Sequence, residues 1–377
     1  MPKNNPILNY WLPLILLAFI NALFTYKYSI RISQYAFALT AIYSMLFVSI
    51  PFIVKLILHE KLSRIFLYTV IAVYCLADIY FIYATDPLKL NVDRWSVITS
   101  FWDYGFSGKF PYQAKSHLGN APGPFPFYFV MALPFYFMHQ IGYFSLAGLF
   151  VLLYFIFRQK ADIKEKASIT MLVLLSTSVI WELTTRSTML VNSSLILVYA
   201  WWLLSIKVFN VKNLIIGGIA GGLLLSTRSL VLIPLVVIYS NLFLKERKWK
   251  EALILGTVLT ITFILTLLPF ALWDYKLFIL YNPLTLQGDF LPGPVIPIFM
   301  LLCLIVGLFI KVRANIYFYC GLMLFLIMAI YFVYRMITVD ASAFMEDKID
   351  ISYFIFSMPF LFAALFGKAD NSVSAES

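Results

Sequence analysis

The sequence predicts an all-α polytopic membrane protein with about twelve transmembrane helices, on three observations. Hydrophobic residues make up 62% of the 377 positions, charged residues only 12%, and mean hydropathy is +0.89; such a chain has too little polar surface to face water. Apolar runs recur along the whole length at sizes suited to a hydrocarbon core of ~30 Å, which takes ~20 helical residues to cross. Lys and Arg gather in alternate loops between those runs, as the retention of positive charge on the cytoplasmic side requires.

The runs fall at 8–26, 35–58, 65–84, 125–157, 168–181, 187–206, 212–226, 229–244, 252–272, 294–310, 315–334 and 351–367. The first follows Lys3 and lacks a small-residue cleavage site, so it is read as a retained helix rather than a leader. Residues 1–367 form one transmembrane domain on this reading, and the Ser-, Ala- and Asp-rich tail 368–377 is expected to be disordered. Placing the N-terminus, 55–64, 158–167, 207–212, 245–251, 311–313 and the tail inside gives these segments 17 Lys and Arg against 7 acidic residues. Both termini are then expected on the cytoplasmic side, and the membrane is expected to be the cytoplasmic (inner) one.

One run is too long for a single straight crossing. Residues 125–157 would make a helix of ~50 Å, and Pro134 with the polar pair His139-Gln140 interrupts it. Either 125–138 is a short interfacial or re-entrant piece before one crossing, or the run crosses twice. The basic loop 158–167 favours the first, because a second crossing would carry it outside.

The net charge of +10 does not point to nucleic acid, since the basic residues are spread over short loops rather than gathered on one soluble face. Cys75, Cys303 and Cys320 all lie in apolar runs without metal-like spacing, and His117 and His139 are isolated, so neither disulfide nor zinc is expected. No cofactor is identified.

The longest polar interruption is 85–124, which carries Asp86, Asp93 and Asp103 with five basic or His side chains. On the topology above it is extracytoplasmic. Three other charged stretches share its side: Glu182 to Arg186, Ser226 to Arg228, and Trp273 to Gly293 with Asn282, Gln287 and Asp289. A further outer loop, Arg335 to Asp350, holds Asp340, Glu346, Asp347 and Lys348.

Asp93, Gly108-Lys-Phe-Pro-Tyr112 and Pro122-Gly-Pro-Phe-Pro126 together resemble the first large extracytoplasmic loop of GT-C fold glycosyltransferases. These polytopic enzymes use polyprenyl-phosphate-linked sugars and include protein mannosyltransferases, aminoarabinose lipid A transferases and mycobacterial mannosyltransferases. Gly217 to Arg228 resembles the family's glycine-rich span ending in Arg, and Leu268 to Tyr275 followed by Asn282-Pro283 resembles its later Pro-Phe and Asn-Pro loop. The likeness covers roughly 65–310, in short motifs. It departs where Arg94, not a second acid, follows Asp93, which leaves a divalent cation open. The long soluble C-terminal domain of some members has no counterpart here.

The resemblance implies a GT-C-like bundle whose first large outer loop carries interfacial helices, and an enzyme transferring a hexosyl or pentosyl group. The donor would be a polyprenyl-phosphate sugar and the acceptor a lipid, glycan or protein hydroxyl. Inverting transfer needs a carboxylate to take the acceptor proton and cations to hold the leaving phosphate. Asp93 is the candidate base; Arg228, Arg186 and Lys109 are the candidate phosphate contacts. Arg94, Asp103, Tyr112, Gln113, Glu182, Asn282 and Gln287 are the candidate substrate contacts. Plainer readings stand beside these. Asp93 suits the N-cap of a following helix whose Trp95, Ile98, Phe101 and Trp102 would face lipid. Glu182 and Arg186, four apart, suit a helical ion pair. A transporter or lipid flippase of the cell envelope is the alternative function, disfavoured because Asp78 is the lone carboxylate inside a span.

Overall fold

The computed structural model describes residues 10–57, 59–288, 291–339, 344 and 349–366. Lys3, Asp289, Asp340, Glu346, Asp347, Lys348 and the tail 368–377, to which the sequence assigned outer or inner positions or disorder, lie outside the described residues.

Every regular element among the described residues is helical. The α-helices are α1 (Leu12–Ser29), α2 (Ala36–Ile57), α3 (Glu60–Ala84), α4 (Arg94–Phe106), α5 (Pro126–Phe137), α6 (Gly142–Arg158), α7 (Ile163–Leu174), α8 (Thr177–Thr184), α9 (Met189–Ser205), α10 (Val211–Leu225), α11 (Leu232–Tyr239), α12 (Trp249–Trp273), α13 (Tyr275–Leu280), α14 (Pro283–Gly288), α15 (Val295–Phe309), α16 (Asn315–Thr338) and α17 (Met358–Ala364). Among the described residues, five stretches are long and apolar enough to cross a membrane, within α1, α2, α3, α12 and α16, and the total rises to seven if each of two bent pairs is one span. This is the pattern of an integral membrane protein, since helices satisfy their own backbone polar groups in lipid. The flanks of α2 and α3 agree: Phe37, Met45, Leu56, Leu76 and Tyr80 stand exposed, as lipid-facing side chains do.

Each of the two bends has an identifiable cause. Between α5 and α6 the chain turns by 115° through His139, whose backbone is left-handed at φ 53°, with Pro134 inside α5. The single 33-residue helix is therefore excluded, in line with the interruption that Pro134 and His139-Gln140 signal. Between α7 and α8 the turn is 57°, and here the sequence gives no Pro or Gly. The break is held from α1: the Asn21 side-chain oxygen accepts from the Ser178 backbone N–H (3.1 Å) and hydroxyl (2.8 Å), and Thr177 donates to the Asn21 carbonyl at 3.0 Å. Asn21 thus supplies the acceptor that a helix start needs.

The chain divides into two units by its internal contacts. The first comprises Met1–Ala84, Leu149–Thr184 and Lys311–Ser377; within it α1 packs on α2, α8 and α17, and α7 on α2 and α3. The second comprises Thr85–Gly148 and Thr185–Ile310. Its most extensive helix pair is α10 with α12, and the glycines explain the fit. A Cβ at Gly218 would lie 2.6 Å from Val258 Cβ, and one at Gly222 would lie 2.5 Å from the Leu259 carbonyl oxygen, so only hydrogen allows this approach. The second unit also holds an aromatic core around Phe101 and Phe129, whose rings stack at 3.6 Å, joined by Phe110, Tyr112, Tyr128 and Phe144.

That core corrects one expectation. Ile98 and Phe101 are fully buried and Trp95 and Trp102 half-buried against the cluster, with the Trp102 indole N–H donating to the Phe129 carbonyl at 3.0 Å. The apolar stripe of α4 faces protein rather than lipid, because α5 and the 110–112 turn supply enough aromatic surface to cover it.

Candidate functional site

Asp93 occupies the N-cap position of α4, yet its side chain makes no capping hydrogen bond. The carboxylate turns instead toward the 113–124 segment. Its Oδ2 accepts from the Ser116 hydroxyl at 2.5 Å and from the Asn120 side-chain amide at 2.7 Å. An ionised carboxylate only accepts, so two donors suit it. The half-turn that brings them is closed on itself: Ser116 N–H donates to Asn120 O (2.9 Å), Gly119 N–H to Ser116 O (2.9 Å) and Asn120 N–H to Ser116 Oγ (3.1 Å). Gly119 sits at φ 84°, a left-handed backbone open to glycine at no steric cost.

The next residue carries the network to a second segment. Arg94 donates from Nη1 to Ser187 Oγ at 2.5 Å, and the Ser187 carbonyl accepts from Ser145 on α6. Beside Ser187, Arg186 is buried to 6% exposure and its Nη2 donates to the Thr85 carbonyl at 2.9 Å. Arg186 has φ 55°, a conformation that costs a side-chain-bearing residue ~1–3 kcal/mol and persists only where surrounding contacts impose it. Burial lowers the pKa of its guanidinium, and the Asp86 carboxylate opposes that shift. On the other side of Ser187, Thr188 shares a 2.6 Å hydroxyl hydrogen bond with Tyr128.

Tyr128 links to the third segment. The Arg228 guanidinium lies over its ring at 5.6 Å, a cation–π distance. Phe125 N–H donates to Thr227 O (3.1 Å) and Tyr128 N–H to Ser226 O (3.3 Å), so the start of α5 is bonded to the turn that holds Arg228. Gln287 closes the circuit: its amide donates to Gly123 O at 2.8 Å and accepts from Ser229 N–H at 2.6 Å. Asp93 with Arg94, Arg186 and Arg228, drawn from three separate stretches of sequence, are thus linked within the second unit, in part as chain neighbours (93–94 and 186–188) and in part through these contacts.

The remaining candidates fall elsewhere. Asp103 lies ten residues along α4 from Asp93, ~15 Å at 1.5 Å per residue, where it is exposed and accepts from the Tyr136 hydroxyl at 2.7 Å. Lys109 is exposed beyond the same end of α4, with its ammonium 5.4 Å from the Tyr104 ring. Neither joins the contacts just described. Tyr112 is 1% exposed inside the aromatic core, its hydroxyl donating to Pro124 O at 3.2 Å, and burial pushes its phenol well above the ordinary tyrosine value. It is a core residue, not a pocket wall. Gln113 ends the short turn Pro111–Gln113. Asn282 accepts from Leu284 N–H at 2.9 Å and so caps α14, and Gln287 is a strut between backbone groups. Glu182 belongs to the first unit, where it is fully buried in α8. That helix ends at Thr184 and Arg186 is left-handed, so the helical spacing supposed for Glu182 and Arg186 does not hold.

Sequence reading missed Ser116, Asn120, Ser187, Thr188 and Tyr128. Small hydroxyl and amide residues carry no charge pattern, and 23 and 27 positions separate Ser116 and Asn120 from Asp93, so no local signal marks the pairing. His117 stacks on Trp95 at 5.3 Å and contacts Ser96 Oγ (2.7 Å) and Leu90 O (3.1 Å). Among the described residues no group of three or more His, Cys, Asp or Glu is placed to hold a metal ion. Comparison with protein-family models, curated proteins and solved structures finds no match for this chain.

Proposed function

We propose that the chain is a membrane glycosyltransferase of GT-C type, moving a hexosyl or pentosyl group from a polyprenyl-phosphate donor to a hydroxyl of a lipid, glycan or protein acceptor. The observation that carries this reading is one carboxylate, Asp93, joined through Arg94 and residues 186–188 to the buried cations Arg186 and Arg228. Asp93 accepts the acceptor proton as that oxygen attacks the anomeric carbon. The bond from that carbon to the phosphate oxygen breaks with inversion, and the phosphate leaves with its electron pair beside Arg228 and Arg186. A phosphate needs no acid to leave, and charge-assisted contacts from Arg favour it.

The same reading sets 85–124 outside the cytoplasmic membrane, both termini inside, and twelve spans in all. Support for twelve comes from the five long helices, the two bent pairs and five shorter apolar helices, which coincide one for one with the twelve apolar runs. Lys109, exposed beyond the end of α4 beside the Tyr104 ring, is left out of the phosphate contact in this reading.

The test is transfer by the detergent-purified chain from synthetic decaprenyl-phosphate mannose and decaprenyl-phosphate arabinose to a hydroxyl acceptor panel. Released decaprenyl phosphate with sugar on the acceptor supports the reading. Movement of the donor across proteoliposomes without any sugar transfer refutes it.

A further inference from the structure

Resting on Asp93 as the base, we infer that Ser116 and Asn120 are positioning residues that hold Oδ2 of that carboxylate and leave Oδ1 as the atom that meets the acceptor hydroxyl. Both donors converge on Oδ2, at 2.5 and 2.7 Å. Their directions are fixed by chemistry. The carboxylate only accepts, so the amide of Asn120 must present its NH2. Ser116 Oγ already accepts from the Asn120 backbone N–H, so its own proton is free to point at Asp93.

The clamp is built from the chain's own contacts. The 116–120 turn is closed by three hydrogen bonds of its own, and Gly119 takes the left-handed backbone that closure needs. His117, between the two donors, fastens the turn to α4: its ring stacks on Trp95, one ring nitrogen meets Ser96 Oγ, and its backbone N–H donates to the same oxygen at 3.2 Å. Ser96 in turn donates to the Asp93 carbonyl at 3.0 Å. The carboxylate and its two donors are therefore tied at backbone level as well as through side chains. Such a frame removes the rotation about the Asp93 side chain that would otherwise misplace a base, and a misplacement of about 1 Å lowers a rate on the order of 100-fold.

The experiment has two arms on the full-length chain in detergent. The first needs no activity: carboxyl labelling with a water-soluble carbodiimide and glycine ethyl ester, read by mass spectrometry at the Asp93 peptide, with exposed Asp103 as internal standard. Labelling of Asp93 should rise about five-fold or more in Ser116→Ala and Asn120→Ala relative to Asp103, and return toward the parent value in Ser116→Thr, which keeps a hydroxyl. Equal Asp93 labelling in the parent and both alanine variants overturns the clamp. The second arm measures transfer from decaprenyl-phosphate mannose. The alanine variants should lose about 10- to 100-fold in kcat with KM nearly unchanged, rescued by Ser116→Thr. Unchanged kcat with raised labelling overturns the positioning role. If the parent chain transfers no sugar, the glycosyltransferase reading fails, and the labelling arm still decides the clamp.

Discussion

Replacing Gly222 by Ala tests how α10 carries Arg228. The added methyl would stand 2.5 Å from the Leu259 carbonyl oxygen and 2.7 Å from Thr262 Cβ. A carbon–oxygen contact needs roughly 3.4 Å, so α10 and α12 must separate by about 0.9 Å, and a helix carbonyl cannot rotate aside as a side chain does. Overpacking of this kind costs ~1–3 kcal/mol. Gly217, on the same helix, supplies the control: its nearest neighbours would be Leu255 and Trp202 side-chain carbons at 3.4 and 3.5 Å, an ordinary contact. Gly217→Ala should therefore be neutral, or slightly stabilising through the better helix propensity of Ala. The shift in Gly222→Ala also reaches the site, because α10 ends at Leu225 and the next residue, Ser226, shares a 2.6 Å hydroxyl bond with Thr266 of α12. Thermal unfolding in detergent, followed by circular dichroism, should show a midpoint several degrees lower for Gly222→Ala and unchanged for Gly217→Ala. Equal midpoints for the two variants would refute the packing argument.

Two further substitutions probe other parts of the fold. Arg186 holds a left-handed backbone at φ 55°, so Arg186→Gly should be more stable than Arg186→Ala by about 1 kcal/mol while both lose the guanidinium; chemical denaturation compares them, and equal stabilities would deny the strain. Asn21→Ala removes the acceptor for Ser178 N–H and leaves that buried donor unmet, at ~1–3 kcal/mol, while the Ser178 hydroxyl keeps Met358 Sδ at 3.1 Å; hydrogen exchange should speed up at Ser178 and its neighbours, and unchanged exchange would mean that another group holds the α7–α8 bend.

The helices were legible because lipid imposes a blunt code. Long apolar runs mark them, and each of the twelve runs coincides with a helix or a bent pair among the described residues. The α5–α6 break was also legible, since Pro134 and His139-Gln140 carry a local signal. The α7–α8 break was not, because the groups bonded to it, Asn21 and the Tyr43 hydroxyl, lie more than 130 positions away in sequence. The same holds at the site. Charged residues such as Asp93, Arg186 and Arg228 stand out against an apolar sequence, whereas Ser116, Asn120 and Thr188 become meaningful only when folding brings them to a partner. Tyr112 misled for the opposite reason: a polar tip suggested a pocket, while most of its surface is apolar ring and fills the core beside Phe101. Asp103 and Lys109 shared a loop with Asp93, but the length of α4 keeps them apart.

The most direct measurement of the central claim is the rate of sugar transfer from decaprenyl-phosphate mannose by the purified chain and by Asp93→Asn, which keeps the size of the side chain and removes its basicity. General bases contribute about 100- to 10,000-fold, so the variant should lose at least two orders of magnitude in kcat while its unfolding midpoint stays close to the parent value. Full transfer activity in Asp93→Asn would contradict the account.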